Sequence, residues 1–292
     1  MAKGKIIRLL GGFYTIKTED GKIVESRAKG NFRHKDIAPL VGDYVNFKEG
    51  EGDTLGYIEK VYPRTSVMLR PPVANVDQVM VIIPVEQPKY NLDLITKLLV
   101  HYERQKIPII IVISKIDLDC HEGEFLKQQF QRIGYPTYSL VLTDKEQVET
   151  LRPLLQDKTT VLAGVSAAGK STLTTHFIDE EVKVGGLSAK TQRGKHTTRH
   201  NELFDNGEGI YILDTPGFSS IDLREIESDS LKNYFPEFLK LEGTCKFMNC
   251  SHSKEPGCAV KQEVEQGIIW DERYQSYIKM YEEQKDKEKH QW

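Results

Sequence analysis

Nine consecutive residues, Gly164-Val165-Ser166-Ala167-Ala168-Gly169-Lys170-Ser171-Thr172, carry the spacing G-x-x-x-x-G-K-[ST], the pattern of a loop that wraps phosphate. Glycines at its ends let the backbone turn tightly and aim its N–H groups at phosphate oxygens. The Lys170 ammonium suits the β- and γ-phosphates, and the Ser171 hydroxyl suits Mg2+. Residues 170–177 read as a helix, whose N-terminal dipole also favours anions. The apolar run over residues 159–163 is β-compatible, so the order is strand, loop, helix. A chance match in a Gly/Ala/Ser turn is the competing reading, and the flanks weigh against it.

Two more segments have matching chemistry. Asp214-Thr215-Pro216-Gly217 follows the apolar run 210–213. An Asp at a strand end can hold Mg2+ through water, and the Gly217 N–H can meet a γ-phosphate. D-x-x-G is weak alone and gains force downstream of a phosphate loop. Ser114-Lys115-Ile116-Asp117 ends the apolar run 107–113. It is like the guanine-reading pattern N-K-x-D, with Ser in place of Asn. A carboxylate at Asp117 accepts from guanine N1–H and its exocyclic amine, which adenine does not offer, and the Lys115 stem can cover the base. A plain strand-end turn is the alternative. The guanine motif precedes the phosphate loop, the reverse of an ordinary GTPase, so the chain reads as circularly permuted.

Arg193-Gly194-Lys195-His196-Thr197-Thr198-Arg199 lies where a first switch loop belongs. Thr198, with Thr197 second, is the expected Mg2+ ligand beside Ser171 and Asp214. His196 either orients or deprotonates the attacking water or belongs to a basic loop that contacts phosphate or RNA. Phe218 stands where many GTPases have a water-orienting Gln, so the intrinsic rate is expected to be low.

Cys245-x4-Cys250-x-His252-x5-Cys258 supplies three thiolates and an imidazole, a closed structural set for Zn2+. Such a site staples a small domain with little core of its own. Buried free cysteines are the alternative, and Cys120 stands apart.

The surrounding elements fall into three stretches. Residues 1–70 read as about five short strands. Those at 13–18 and 22–27 flank Glu19-Asp20-Gly21, a hairpin signal, and 44–47 and 56–61 alternate. A small β-barrel of the OB-fold type is expected. Arg8, Arg27, Lys29, Arg33, His34 and Lys35, with Phe13, Tyr14 and Phe32, either grip nucleic acid or are solvated charges around core aromatics. Arg70-Pro71-Pro72 reads as a linker. Alternating strands (76–85, 107–113, 136–142) and helices (92–105, 122–133, 145–155) then predict a doubly wound α/β domain. Residues 185–201 read as a loop. Beyond 221 the chain reads as helical and polar around the cysteines, with a charged helical tail over 270–289. The expected domains are 1–70, 71–222 and 223–292.

The chain has 292 residues, 39% hydrophobic and 28% charged, with a net charge of −3. That composition is globular. Residues 1–70 hold 13 Lys+Arg against 9 Asp+Glu, and the rest 27 against 34. A mildly basic first segment on an acidic body hints at an anionic partner. No apolar run is long enough to span a bilayer, so a cytoplasmic protein is expected.

Together these residues resemble the ribosome small-subunit-dependent GTPase A (RsgA) family of bacterial circularly permuted GTPases. The likeness is carried by Val41-Gly42-Asp43, Lys115-Ile116-Asp117, Gly164 to Thr172, residues 193–198, Asp214-Thr215-Pro216-Gly217-Phe218 and the Cys245/Cys250/His252/Cys258 set. It covers nearly the whole chain. The resemblance implies an N-terminal RNA-binding OB-fold, a permuted P-loop GTPase and a C-terminal helical zinc domain. It implies GTP hydrolysis to GDP stimulated by the small (30S) ribosomal subunit, rRNA contact, and a role in late maturation of that subunit. A monomer is expected. Two positions depart from the family pattern: Ser114 for Asn, and Ala167 where Gly is common. The rivals are an RNA-binding scaffold with a vestigial nucleotide site, which Phe218 and Ser114 allow, and a P-loop ATPase or kinase, against which Asp117 speaks.

Overall fold

The computed structural model describes residues 2–29, 32, 38–50, 54–69, 71–178, 202–215, 217, 220–223 and 225–290. Five strands open the chain: β1 (Ala2–Leu10), β2 (Phe13–Thr18), β3 (Ile23–Ala28), β4 (Tyr44–Lys48) and β5 (Gly56–Val61). They close into a barrel in the order β1-β2-β3-β5-β4, the OB-fold arrangement. Period-two alternation turns Ile6, Ile16, Val45, Phe47 and Ile58 wholly inward. The β2–β3 hairpin turns at Gly21, whose N–H bonds Thr18 O at 3.0 Å. Tyr14 joins the barrel core, whereas Phe13 faces solvent with the Arg27 guanidinium 4.6 Å from its ring centre. Tyr14 is thus a core aromatic, and Phe13 is not. Arg33, His34 and Lys35 lie outside the described residues.

On either side of the expected linker the chain forms an antiparallel pair, β6 (Val67–Leu69) and β7 (Pro72–Ala74), and Arg70 lies outside the described residues. Pro72 is tolerated because it opens its strand, where no ladder N–H is required. Asn75 Nδ2 then donates to Gly42 O at 2.9 Å and ties this pair to the barrel.

The α/β elements follow: β8 (Gln78–Pro84), α1 (Leu92–Arg104), β9 (Ile109–Ser114), α2 (Cys120–Ile133), β10 (Thr137–Leu140), α3 (Lys145–Glu149), α4 (Arg152–Leu155), β11 (Lys158–Ala163), α5 (Lys170–Phe177), β12 (Leu203–Asp205) and β13 (Ile210–Asp214). Asn91 caps α1 and Asp119 caps α2, each side chain accepting a first-turn N–H at 3.0 Å. The single helix expected over 145–155 is two, because Pro153 lacks an N–H and fits only a first turn. The short edge strand β12 has no counterpart in the sequence reading.

The chain forms two compact units. One holds Met1–Met80, Leu142–Ala163 and Lys170–Pro216; the other holds Val81–Val141, Gly164–Gly169 and Gly217–Trp292. Parallel β11 and β13, with antiparallel β12, belong to the first, and parallel β9 and β10 to the second. Strand β8 is divided between them after Met80.

In the second unit a 3-10 turn (Ser228–Tyr234) leads to α6 (Pro236–Leu239), α7 (Ala259–Glu265) and α8 (Asp271–Lys289). Helix α8 is more than the charged tail expected: Tyr274, Tyr277, Met280 and Tyr281 are buried in a core with Leu231, Phe235 and Phe238. No helix among the described residues is long and apolar enough to cross a membrane.

Candidate nucleotide site and metal centre

In the second unit the guanine motif and the phosphate loop meet. Strand β9 ends at Ser114, which is wholly buried, and its Oγ donates to Ala168 O at 2.7 Å. The departure from Asn therefore keeps a tie between the two loops. Lys115 holds a left-handed φ of 61° and its Nζ donates to Gln87 O. Asp117 lies beyond, exposed, its carboxylate without a hydrogen-bond or ion-pair partner among the described residues. It is free to accept from a base.

Two glycines are dictated by close approach. A Cβ at Gly164 (φ 141°) would meet Ile82 O at 2.4 Å, and a Cβ at Gly217 would meet Ser166 N at 2.5 Å. Gly217 thus lies against the phosphate loop, as a γ-phosphate sensor requires. Ala167 sits at φ 61°, the left-handed region where a Cβ costs about 1 kcal/mol. That explains why glycine suits this position.

In the first unit the chain continues into α5. Lys170 is 6% exposed. Burial lowers its ammonium from the ordinary lysine range, and the Asp214 charge pulls it back up. Ser171 Oγ donates to Asp214 Oδ2 at 3.1 Å, so these two expected magnesium groups are adjacent. Thr215 Oγ1 donates to Leu162 O at 2.7 Å and fixes the start of D-x-x-G against the end of β11. A groove of about 750 Å³ is lined by Leu142, Thr143, Lys145, Ser171, Thr172, Thr175 and His176. Thr143 and Lys145 escaped the sequence reading. Their only signal is their place after a strand end of an α/β sheet, where ligands bind. His196, Thr197, Thr198, Pro216 and Phe218 lie outside the described residues.

The metal set is prebuilt. One ligand atom from each of Cys245, Cys250, His252 and Cys258 lies within 4.8 Å of all the others. His252 Nδ1 is 3.6 Å from Cys245 Sγ and 3.4 Å from Cys258 Sγ. With Zn–S near 2.3 Å and Zn–N near 2.1 Å, a tetrahedral edge between them is about 3.6 Å, so the donors fit zinc. The Ala259 N–H donates to Cys245 Sγ at 3.3 Å. Glu255 gathers the Ser251 hydroxyl and the Ser251 and Ser253 amides. Tyr274 OH donates to His252 O at 2.8 Å, Tyr277 OH to Ser251 O, and Lys232 Nζ to Cys250 O at 2.9 Å. Burial pushes the Cys250 thiol up to about 12, raises Cys258 as well, and keeps His252 below its ordinary value. A neutral imidazole is ready to ligate, and a dication supplies what the thiolates need.

Against known proteins, a family model described as RsgA GTPase matches residues 61–224, and one described as RsgA N-terminal domain matches residues 3–58. A small ribosomal subunit biogenesis GTPase RsgA of Clostridium perfringens strain 13 is 44% identical over 283 residues, covering 96% of this chain and 97% of its own length. The protein of the same name from Clostridium beijerinckii is 42% identical over 292 residues, 99% of each chain. Among solved structures, YloQ, described as a circularly permuted GTPase, superposes with TM-score 0.79 at 37% identity, over 98% of this chain and 96% of that one. YjeQ from Thermotoga maritima gives TM-score 0.81 at 31% identity, over 97% and 98%.

Proposed function

The chain belongs to the RsgA family of circularly permuted GTPases, and on that premise we propose that it hydrolyses GTP to GDP and phosphate in the biogenesis of the small ribosomal subunit. The observation that carries this reading is the Ser114–Ala168 hydrogen bond, because it holds a base-reading loop against a phosphate-reading loop. Asp117 accepts from guanine N1–H and the exocyclic amine, and the Lys115 stem covers the base. Amides of Gly164 to Gly169 cradle the phosphates, and Lys170 meets the β- and γ-oxygens with Ser171 and Thr172 beside it.

Magnesium, when bound, adds positive charge where negative charge grows on the transferring phosphoryl group. Ser171 and Asp214 are its protein ligands in this reading, with Thr198 as the switch ligand. His196 orients the attacking water, since Phe218 offers no polar group for that task. The Gly217 N–H reports the γ-phosphate. Lys170 enters the site partly desolvated, which strengthens its hold on phosphate oxygens.

Zinc at Cys245, Cys250, His252 and Cys258 is structural: all four donors are protein groups and leave no open position. The partner is the small subunit and its rRNA, gripped by the barrel and the zinc domain of a monomeric cytoplasmic protein. The test is turnover of GTP by the purified protein with and without small subunits, with ATP in parallel. Stimulation restricted to GTP is expected. Bound GTP with no stimulation would remove the partner, and equal use of ATP would remove the base reading.

A further inference from the structure

Two lysines of the barrel face each other across β1 and β2: Lys5 is the register partner of Lys17. Like charges at directly opposed positions repel, so something must balance them. Lys17 Nζ pairs with Asp205 Oδ2, an acid only 7% exposed, whose other oxygen accepts the Gly207 N–H at 2.7 Å. Lys5 Nζ donates to Thr159 Oγ1 at 2.7 Å and lies 3.9 Å from the centre of the Tyr211 ring. Nearby, Arg8 forms an antiparallel bridge to Glu202, their charged groups 4.0 Å apart. All these partners sit on or beside β11, β12 and β13, within the barrel's own unit.

These contacts lead to the nucleotide machinery. On its other edge β12 pairs with β13, with Leu203 opposite Leu213 and Asp205 opposite Tyr211. Strand β13 ends at Asp214, which accepts from Ser171 Oγ at 3.1 Å. From Tyr211 to Asp214 is about 10 Å of extended chain. A three-residue strand held by a ladder on one side and by barrel cations on the other has little freedom to slide.

We propose that the Lys17–Asp205 ion pair is a positioning contact for GTP hydrolysis: it pins β12 to the barrel, so that displacement of the barrel by the small subunit reaches Asp214 along β13. The inference rests on the reading of the chain as a subunit-stimulated GTPase. Removing Lys17 leaves the buried Asp205 carboxylate without its ion-pair partner, a state that favours moving β12 or admitting water. The pair touches neither the phosphate loop nor the guanine loop. Basal turnover and GTP affinity therefore survive its loss, and stimulation does not.

The experiment compares wild type with Lys17→Met, Asp205→Asn, the conservative Lys17→Arg, and the exchanged pair Lys17→Asp/Asp205→Lys. Basal kcat, GTP Kd, small-subunit binding and subunit-stimulated kcat are measured for each. Both single charge-removing variants should keep basal kcat, GTP Kd and subunit binding within about twofold, and lose about tenfold of the stimulation. Lys17→Arg should keep it and the exchanged pair should regain part. Full stimulation in either charge-removing variant would overturn the proposal. So would a parallel fall in basal turnover and GTP affinity, which marks a merely structural pair. An unstimulated wild type would sink the functional reading itself and this inference with it.

Discussion

The barrel and the C-terminal segment each dock on part of the GTPase domain, and they use different chemistry. The barrel meets β11 and β12 through cations: Lys5 on Thr159, Arg8 on Glu202, Lys17 on Asp205. The C-terminal segment shares a core instead, in which Val100 of α1 packs with Leu223, Leu231, Phe235, Phe238, Tyr277 and Tyr281. Its ion pairs with α1, Lys97–Glu283 at 2.8 Å, Arg104–Glu225 at 2.8 Å and Lys279–Asp93 at 2.9 Å, lie at the rim, where such pairs contribute little. An apolar dock forms with the fold and stays formed. A polar dock answers to charge and pH. The first suits a fixed platform, and the second a contact whose strength charge and pH can set.

The largest effect expected is on the apolar side. Chelation of zinc, or Cys258→Ser, should abolish the tertiary packing of the C-terminal tyrosines, because their hydroxyls hold the metal loop at His252 O and Ser251 O. Structural zinc contributes on the order of 10 kcal/mol in small domains. Near-ultraviolet circular dichroism checks this, and an unchanged tyrosine signal in the metal-free protein would break the contrast. Next comes Arg273, which is wholly buried and bonds Glu237 at 2.6 Å. Arg273→Met alone should cost about 3–5 kcal/mol in urea unfolding by stranding Glu237, and adding Glu237→Leu should restore much of it.

The smallest effect falls on the barrel side. Burial lowers the Lys5 ammonium to about 8, against the pull of Asp77 and Asp205. The unfolded chain therefore holds a proton between about pH 8 and 10.5 that the folded chain has released, and stability rises with pH across that window. Below 8 the buried charge exacts its full cost. Wild type should gain melting temperature relative to Lys5→Met as pH rises from 7.5 to 10. Parallel curves would show that the barrel dock is not the charge-sensitive one.

Much of the candidate site is legible because its signals are local. The phosphate loop compresses its requirements into nine residues, and Cys245 to Cys258 into fourteen. The barrel followed from alternation and the Gly21 turn. What escaped was decided by tertiary contact. Helix α8 read as a charged tail because its buried face is built of tyrosines, which count as polar in a hydropathy pattern. Ser114 has a shorter side chain than the Asn of the pattern. Packing brings the Ala168 carbonyl to it, and no spacing rule reports that. Strand β12 is three residues long and owes its place to Leu213, Ile212 and Tyr211 opposite, beyond the reach of any periodicity. Pro153 is visible in the sequence, and it divides 145–155 into two helices because it fits only a first turn.

The central claim, that this chain reads guanine through Asp117 on a loop fastened to its phosphate loop, is tested most directly by binding GTP and xanthosine triphosphate to wild type and Asp117→Asn. A carboxylate accepts two N–H groups of guanine; an amide offers a donor to the C2 carbonyl of xanthine. The account predicts a loss of about a hundredfold for GTP with a gain for the xanthosine nucleotide. Unchanged GTP affinity and no gain for xanthosine would contradict it.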